Sequence, residues 1–138
     1  MNNKKPTRIL IAEDEAITAA ALKSELVSLG CEVVGITDTA EDVVRAAGEL
    51  QPDVVFMDIT LKGVLDGITA AVAIRGRTGA PVVFLTAHAD EKTMKRSVFA
   101  GPFEYILKPF TRKELQAAVQ VSLQKRDQEL RERSALAR

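Results

Sequence analysis

Cysteine is nearly absent from this chain: Cys31 is the only one, so no internal disulfide can form. A lone thiol suits a reducing compartment, and its place in an apolar run predicts a buried, inert side chain. Net charge is absent as well. The 19 basic and 19 acidic residues cancel, which removes any electrostatic case for a nucleic-acid or membrane partner. No apolar run approaches the roughly 20 residues that a membrane helix needs. The N-terminal MNNKKPTR carries two lysines but no apolar segment behind it, so it does not read as a signal peptide. Internal repeats and low-complexity linkers are missing too. The cytoplasm is therefore the expected location. What remains is ordinary globular material: 138 residues, 46% hydrophobic and 28% charged, enough for one compact domain with its own core.

Five short apolar runs alternate with longer amphipathic stretches. The runs lie within Arg8–Ala12, Cys31–Thr37, Asp53–Met57, Pro81–Leu85 and Phe103–Leu107, and their cores read ILIA, VVGI, VVFM, VVFL and YIL. They are continuous rather than alternating, which predicts strands covered on both faces in a parallel sheet. Helices are expected between them. Glu15–Leu29 has Ile17, Ala21, Leu22, Leu26 and Leu29 at helical spacing, with Gly30 as a stop. Thr39 and Asp42 cap a helix that runs to about Leu50, and Gly67–Arg75 and Asp90–Ala100 supply two more. Thr111 and Glu114 form a capping box before a last helix through Leu115, Val119 and Leu123. Phe56, Phe84, Phe99 and Phe103 are expected in the core. Five βα units in a row imply a doubly wound α/β fold with right-handed crossovers.

In such a sheet, ligands bind beyond the carboxyl ends of the strands. Glu13 and Asp14 follow the first predicted strand, Asp58 the third, Thr86 and Ala87 the fourth, and Lys108-Pro109 the fifth. Three carboxylates, one hydroxyl and one ammonium therefore share an edge. A cluster of acids is costly without a cation, and Mg²⁺ is a hard ion that takes oxygen ligands. A carboxylate can itself be the nucleophile that accepts a phosphoryl group, provided that positive and donor groups meet the incoming oxygens. Lys108 and Thr86 are the candidates for that task. Taken singly, Asp58 reads as a loop aspartate and Glu13-Asp14 as acids favoured by a helix dipole.

The segments ILIAEDE at 9–15, VVFMDI at 54–59, DGI at 66–68, VVFLTA at 82–87 and YILKPF at 105–110 occur in this order and spacing. Through them the chain resembles the receiver domains of two-component response regulators, over roughly residues 7 to 124. The resemblance implies a flavodoxin-like (βα)5 fold with strand order 2-1-3-4-5. It implies Asp58 as phosphoacceptor, Mg²⁺ held by Asp14, Asp58 and the Thr60 carbonyl, and Glu13 acting through a metal-bound water. It makes Thr86 the switch hydroxyl, Lys108 the phosphoryl partner, and Tyr105 an aromatic that turns from exposed to buried on activation. It also implies a cis Lys108–Pro109 bond, and places Thr60 and His88 beside the path of the hydrolytic water. The implied partners are a sensor histidine kinase or phosphotransfer protein and a downstream effector. A phosphorylation-dependent homodimer is a further expectation, formed through a face where Met94, Val98, Glu104 and Leu115 are expected.

The chain also departs from the pattern. Many receivers have proline where Lys62 stands and one residue fewer before the Asp-Gly pair, while Pro102 and Glu104 stand where alanine and glycine are common. Two other function classes share parts of this pattern. An aspartyl-phosphate hydrolase of the haloacid dehalogenase type needs a second aspartate two residues after the nucleophile, and Thr60 stands there. An interaction module that works without phosphorylation would have lost an acid or the lysine. Residues 1–124 are read as the receiver, and KRDQELRERSALAR at 125–138 as a charged, solvated extension of the last helix, frayed at its end. With so few residues after the last motif, no DNA-binding domain is expected within this chain.

Overall fold

A computed structural model describes residues 5–137. Five strands, β1 (Arg8–Ala12), β2 (Glu32–Thr37), β3 (Val54–Asp58), β4 (Val82–Thr86) and β5 (Glu104–Leu107), form one parallel sheet in the order β2-β1-β3-β4-β5. The helices α1 (Ala16–Ser28), α2 (Ala40–Leu50), α3 (Gly67–Thr78), α4 (Glu91–Ala100) and α5 (Arg112–Ala137) alternate with them. The expected fold and strand order are those observed. No helix among the described residues is long and apolar enough to cross a membrane.

The three inner strands behave as their composition dictates. Every residue of β3 and β4 is buried, as is β1 after Arg8. Side chains alternate between two cores. Leu10, Val55, Met57 and Phe84 pack with α2 and α3 on one face. Ile9, Ile11, Phe56, Val83 and Leu85 pack with Leu22 and Leu26 of α1 and with Leu115 and Val119 of α5 on the other. The edges differ from expectation. β2 is only half-buried along its length, because Val33, Val34 and Ile36 lack a neighbouring strand on one side, and Cys31 beside it is half-buried rather than enclosed. Burial still raises the Cys31 thiol pKa above its ordinary value.

Local signals set the helix starts. The Thr39 hydroxyl accepts the Asp42 N–H at 3.2 Å and opens α2. Asp66 accepts the Thr69 N–H at 2.7 Å and opens α3. At α5, Thr111 Oγ1 accepts the Glu114 N–H at 3.2 Å while Glu114 Oε1 accepts the Thr111 N–H at 3.0 Å, the reciprocal pair that was expected. Gly67 matters for a different reason. A Cβ there would lie 3.1 Å from the Ile59 carbonyl and 3.3 Å from that of Asp58, so glycine lets α3 start tight against the end of β3.

Three expectations about side-chain placement fail. Phe99 is 92% exposed, because α4 turns only its Met94 and Ser97 side inward. Leu115 is fully buried against α1's side of the sheet, so it cannot belong to an outward α4–β5–α5 face. Ile17 and Ala21 point to solvent, and α1 buries Ala19, Leu22 and Leu26 instead. The C-terminal extension differs in kind. Helix α5 continues unbroken to Ala137, and its part beyond residue 124 is not wholly solvated. Arg75 pairs with Glu129 at 3.1 Å, Lys125 pairs with Glu104, and Arg126 donates to the Thr78 carbonyl at 3.4 Å. These contacts fasten the start of the extension beneath β4 and β5.

Candidate functional site

The carboxyl ends of β1, β3, β4 and β5 meet where the chain crosses from one side of β1 to the other, the position at which open α/β sheets bind ligands. Register brings the groups together. Ala12 pairs with Met57, Asp58 with Leu85 and Thr86 with Leu107, so Glu13, Asp58, Thr86 and Lys108 emerge on adjacent strand ends.

Asp58 is nearly buried and each of its oxygens is engaged. Oδ1 accepts the Thr60 N–H at 2.9 Å and the Thr60 hydroxyl at 2.8 Å; Oδ2 accepts the Lys108 ammonium at 3.0 Å. Burial pushes the Asp58 pKa up, but the Thr60 amide, the Thr60 hydroxyl and Lys108 together outweigh it, so the net shift is downward. Asp58 is thus held ionised, which a nucleophilic carboxylate requires. Lys108 also donates to Glu13 Oε2 at 3.3 Å. Burial alone would lower its pKa; its two carboxylates reverse that and raise it, so the ammonium persists. The Lys108–Pro109 bond is cis, as expected.

Glu13 is buried and accepts the Glu15 N–H at 3.1 Å. Its pKa is pushed up to about 7, first by burial; the Glu15 amide opposes this, the Asp58 charge adds to it and Lys108 opposes it. Asp14 is more exposed. One carboxylate oxygen from each of Glu13, Asp14 and Asp58 lies within 4.8 Å of the others, and all are hard oxygen donors. Such a donor set, two of its members buried, fits a small divalent cation.

The raised Glu13 value has a testable consequence. A carboxyl that keeps its proton longer in the folded protein stabilises the fold below its unfolded pKa, and that contribution is lost as pH rises through the folded value. In EDTA, the unfolding temperature should therefore fall between pH 4.5 and about 7. Asp58, lowered from 3.8, and Lys108, raised from 10.5, titrate outside that window. Glu13→Gln should flatten the fall. Equal slopes for parent and variant would contradict it.

Thr86 is buried at the end of β4, and its carbonyl accepts the Lys108 N–H at 2.6 Å. Beyond it, Thr86, His88, Met94, Tyr105 and Leu107 line an open groove between β5 and α4. Tyr105 is already half-buried, contrary to the exposed starting position expected. Its ring stacks on Phe84 with centroids 5.9 Å apart, and its hydroxyl lies 2.6 Å from Ser97 Oγ. Sequence reading did not single out Ser97; a serine one helical turn past Met94 carries no distinguishing pattern. Thr60 and His88 are both exposed at the rim.

A family model described as the response regulator receiver domain matches residues 9–120. The chain belongs to the response regulator receiver domain family. The receiver is 36% identical over 118 residues to the transcriptional regulatory protein PdtaR of Mycobacterium tuberculosis, covering 86% of this chain and 57% of that protein. It is 35% identical over 130 residues to the DNA-binding response regulator MtrA of Mycobacterium leprae, covering 94% and 57% respectively. The chain thus spans a little over half the length of these curated relatives. Among solved structures, the signal receiver domain of a modulated diguanylate cyclase from Desulfovibrio desulfuricans G20 superposes with a TM-score of 0.85 at 34% identity, covering 91% of this chain and 99% of that one. The receiver domain of the sensor histidine kinase PA1611 from Pseudomonas aeruginosa PAO1, which holds a magnesium ion in its active-site cleft, gives 0.77 at 33% identity, covering 86% and 98%.

Proposed function

We propose that this receiver accepts a phosphoryl group on Asp58 from a histidine kinase or phosphotransfer protein and thereby switches a protein-binding face. The observation that carries the reading is Lys108, which bridges the buried Asp58 and Glu13 carboxylates at 3.0 and 3.3 Å. An ionised aspartate held beside a permanent cation is set up for attack on phosphorus, and the same cation can meet the charge that arrives. An Asp58 oxygen forms the new P–O bond as the bond from phosphorus to its donor breaks. Lys108 then pairs with a phosphoryl oxygen, and the Thr86 hydroxyl donates to another. Glu13, Asp14 and Asp58, with the Thr60 carbonyl, would hold Mg²⁺, as the magnesium in the PA1611 receiver suggests. That ion supplies positive charge to the transferring oxygens. Thr60 and His88 at the rim are proposed to tune the lifetime of the phosphorylated state. The test is the intact mass of the protein after a small phosphodonor: one phosphoryl group gained with Mg²⁺, none in EDTA. A gain that ignores EDTA would contradict the reading.

The output is proposed to leave through Thr86 and Tyr105. If Thr86 turns toward the phosphoryl group, it withdraws from the groove beside Tyr105, and packed interiors resist such voids. Tyr105 is the only tyrosine and the chain has no tryptophan, so intrinsic fluorescence reports its surroundings directly. Phosphorylation should change that emission, and Thr86→Ala should remove most of the change while Asp58 is still labelled. Ser97→Ala should loosen Tyr105 in the unphosphorylated protein. Identical emission responses in parent and Thr86→Ala would refute the coupling. The cytoplasm is the proposed location, with the kinase and effector as protein partners.

A further inference from the structure

The loop between β3 and α3 takes its course from α2. Glu41, on the first turn of that helix, accepts the N–H groups of Val64 at 3.1 Å and Leu65 at 2.7 Å. Gly63 has φ 143°, and a Cβ there would lie 2.6 Å from Glu41 Oε1, so a side chain at this position would push the carboxylate away. The Ala40 N–H donates to the Lys62 carbonyl at 2.9 Å. The loop is therefore pinned on both sides of Gly63, and the backbone of Lys62 is held close to the acid cluster. Its ammonium lies 3.9 Å from Asp14 Oδ2. Lys108 engages Glu13 and Asp58. Each of the three carboxylates thus has an ammonium beside it.

We propose that Lys62 is a tethered competitor for the divalent cation at Asp14, which weakens Mg²⁺ binding and makes it depend on salt. This rests on reading the acid cluster as a divalent-cation site. The Lys62 side chain is 85% exposed, so its pair with Asp14 adds little to folding stability. Its effect on an incoming cation is larger. Binding must take Asp14 from the ammonium, and the ammonium stays close because the Glu41 contacts hold the loop. A single and a double positive charge then face each other across a few ångströms at the protein–water boundary. Coulombic repulsion at that range alters affinity by roughly three- to tenfold at low ionic strength and is largely screened at high salt. The competitor sets the free Mg²⁺ level at which the site fills, and it does so without touching Asp58.

Calorimetric titration of the full chain with MgCl₂ tests this. Lys62→Met should bind Mg²⁺ roughly three- to tenfold more tightly than the parent at low salt, and the gap should shrink in about 0.5 M KCl. Lys62→Arg, which keeps the charge, should match the parent. So should Lys23→Met, which removes a charge from α1 outside the cluster. Equal affinity of parent and Lys62→Met at low salt would overturn the proposal. So would a gain that persists unchanged in high salt, because that marks a rearranged loop rather than a removed charge. Failure of the parent itself to bind Mg²⁺ would instead overturn the reading of the acid cluster, and the competitor with it.

Discussion

Asp58→Ala should abolish phosphoryl incorporation outright, with no residual label under conditions that saturate the parent. The expectation is all-or-none because the proposed attacking group is this carboxylate itself, and no other acid in the cluster combines the same features. Glu13 lies in the same cluster, but it is buried, is bonded to the Glu15 amide, and has a pKa near 7 that leaves it partly protonated. Asp14 is more exposed and pairs with Lys62, whereas Lys108 pairs with Glu13 and Asp58. Asp58 alone combines burial, a lowered pKa and contact with Lys108. The variant should still fold. Asp58 ends a strand whose other residues are apolar and buried, and alanine adds no volume. The loss of label should therefore come with an unchanged circular dichroism spectrum. Labelling of Asp58→Ala at a rate comparable to the parent would mean that another residue accepts the group.

Lys108→Met should slow phosphorylation by roughly 10²- to 10³-fold, the usual effect of removing one preorganised charge partner from a transition state. Two causes act together. One of the groups that hold Asp58 ionised is gone, beside the Thr60 amide and hydroxyl that remain, and so is the cation proposed to meet the incoming phosphoryl oxygens. The same substitution leaves Glu13 and Asp58 facing each other without a positive charge between them. Removing one partner from a buried ionic cluster costs about 3–5 kcal/mol unless protonation or a bound cation relieves it. The unfolding temperature in EDTA should therefore drop, and Mg²⁺ should restore much of it. Pulse labelling for rate and thermal melts with and without Mg²⁺ read both effects. A Lys108→Met protein that labels at the parent's rate would contradict the assigned role.

The readable parts of this fold are those where one physical requirement dominates. β1, β3 and β4 need apolar residues on both faces, so ILIA, VVFM and VVFL identify them without reference to anything else. The strand-end rule then collects Glu13, Asp58, Thr86 and Lys108, which the structure indeed brings together. Where two requirements compete, the same reading fails. β2 has the composition of an inner strand but lies at an edge, so its valines stay half-exposed. Phe99 carries a large apolar ring on the outward side of a short helix, and helical periodicity in so mixed a segment cannot decide which side that is. Leu115 lies on the expected helix but faces the core beside α1, a choice of face that the spacing of α5 alone does not settle.

Other features depend on contacts between segments far apart in the chain, which no local pattern encodes. Glu41 and the loop at 63–65 are more than twenty residues apart, and the only trace of their pairing is the Lys62-Gly63 departure from the familiar loop. The hydrogen bond between Tyr105 and Ser97 is likewise a meeting of β5 with α4. The ion pairs Arg75–Glu129 and Lys125–Glu104 make the start of the charged extension part of the body of the domain. A run such as KRDQEL gives no sign of this by itself, since the same charges serve equally well on a solvated helix.

Chemical mapping of the modified residue tests the proposed phosphoacceptor, Asp58, without relying on any variant. An aspartyl phosphate is an acyl phosphate, so borohydride reduces it to the alcohol and converts that aspartate into homoserine. The protein is treated with a small phosphodonor and Mg²⁺, reduced, digested and sequenced by mass spectrometry. Homoserine is expected at position 58 and at no other aspartate, with none formed when the donor is left out or EDTA is added. Homoserine at Asp14, a reduced residue at Glu13, or a phosphoryl group that survives reduction on a hydroxyl or on His88 would contradict it.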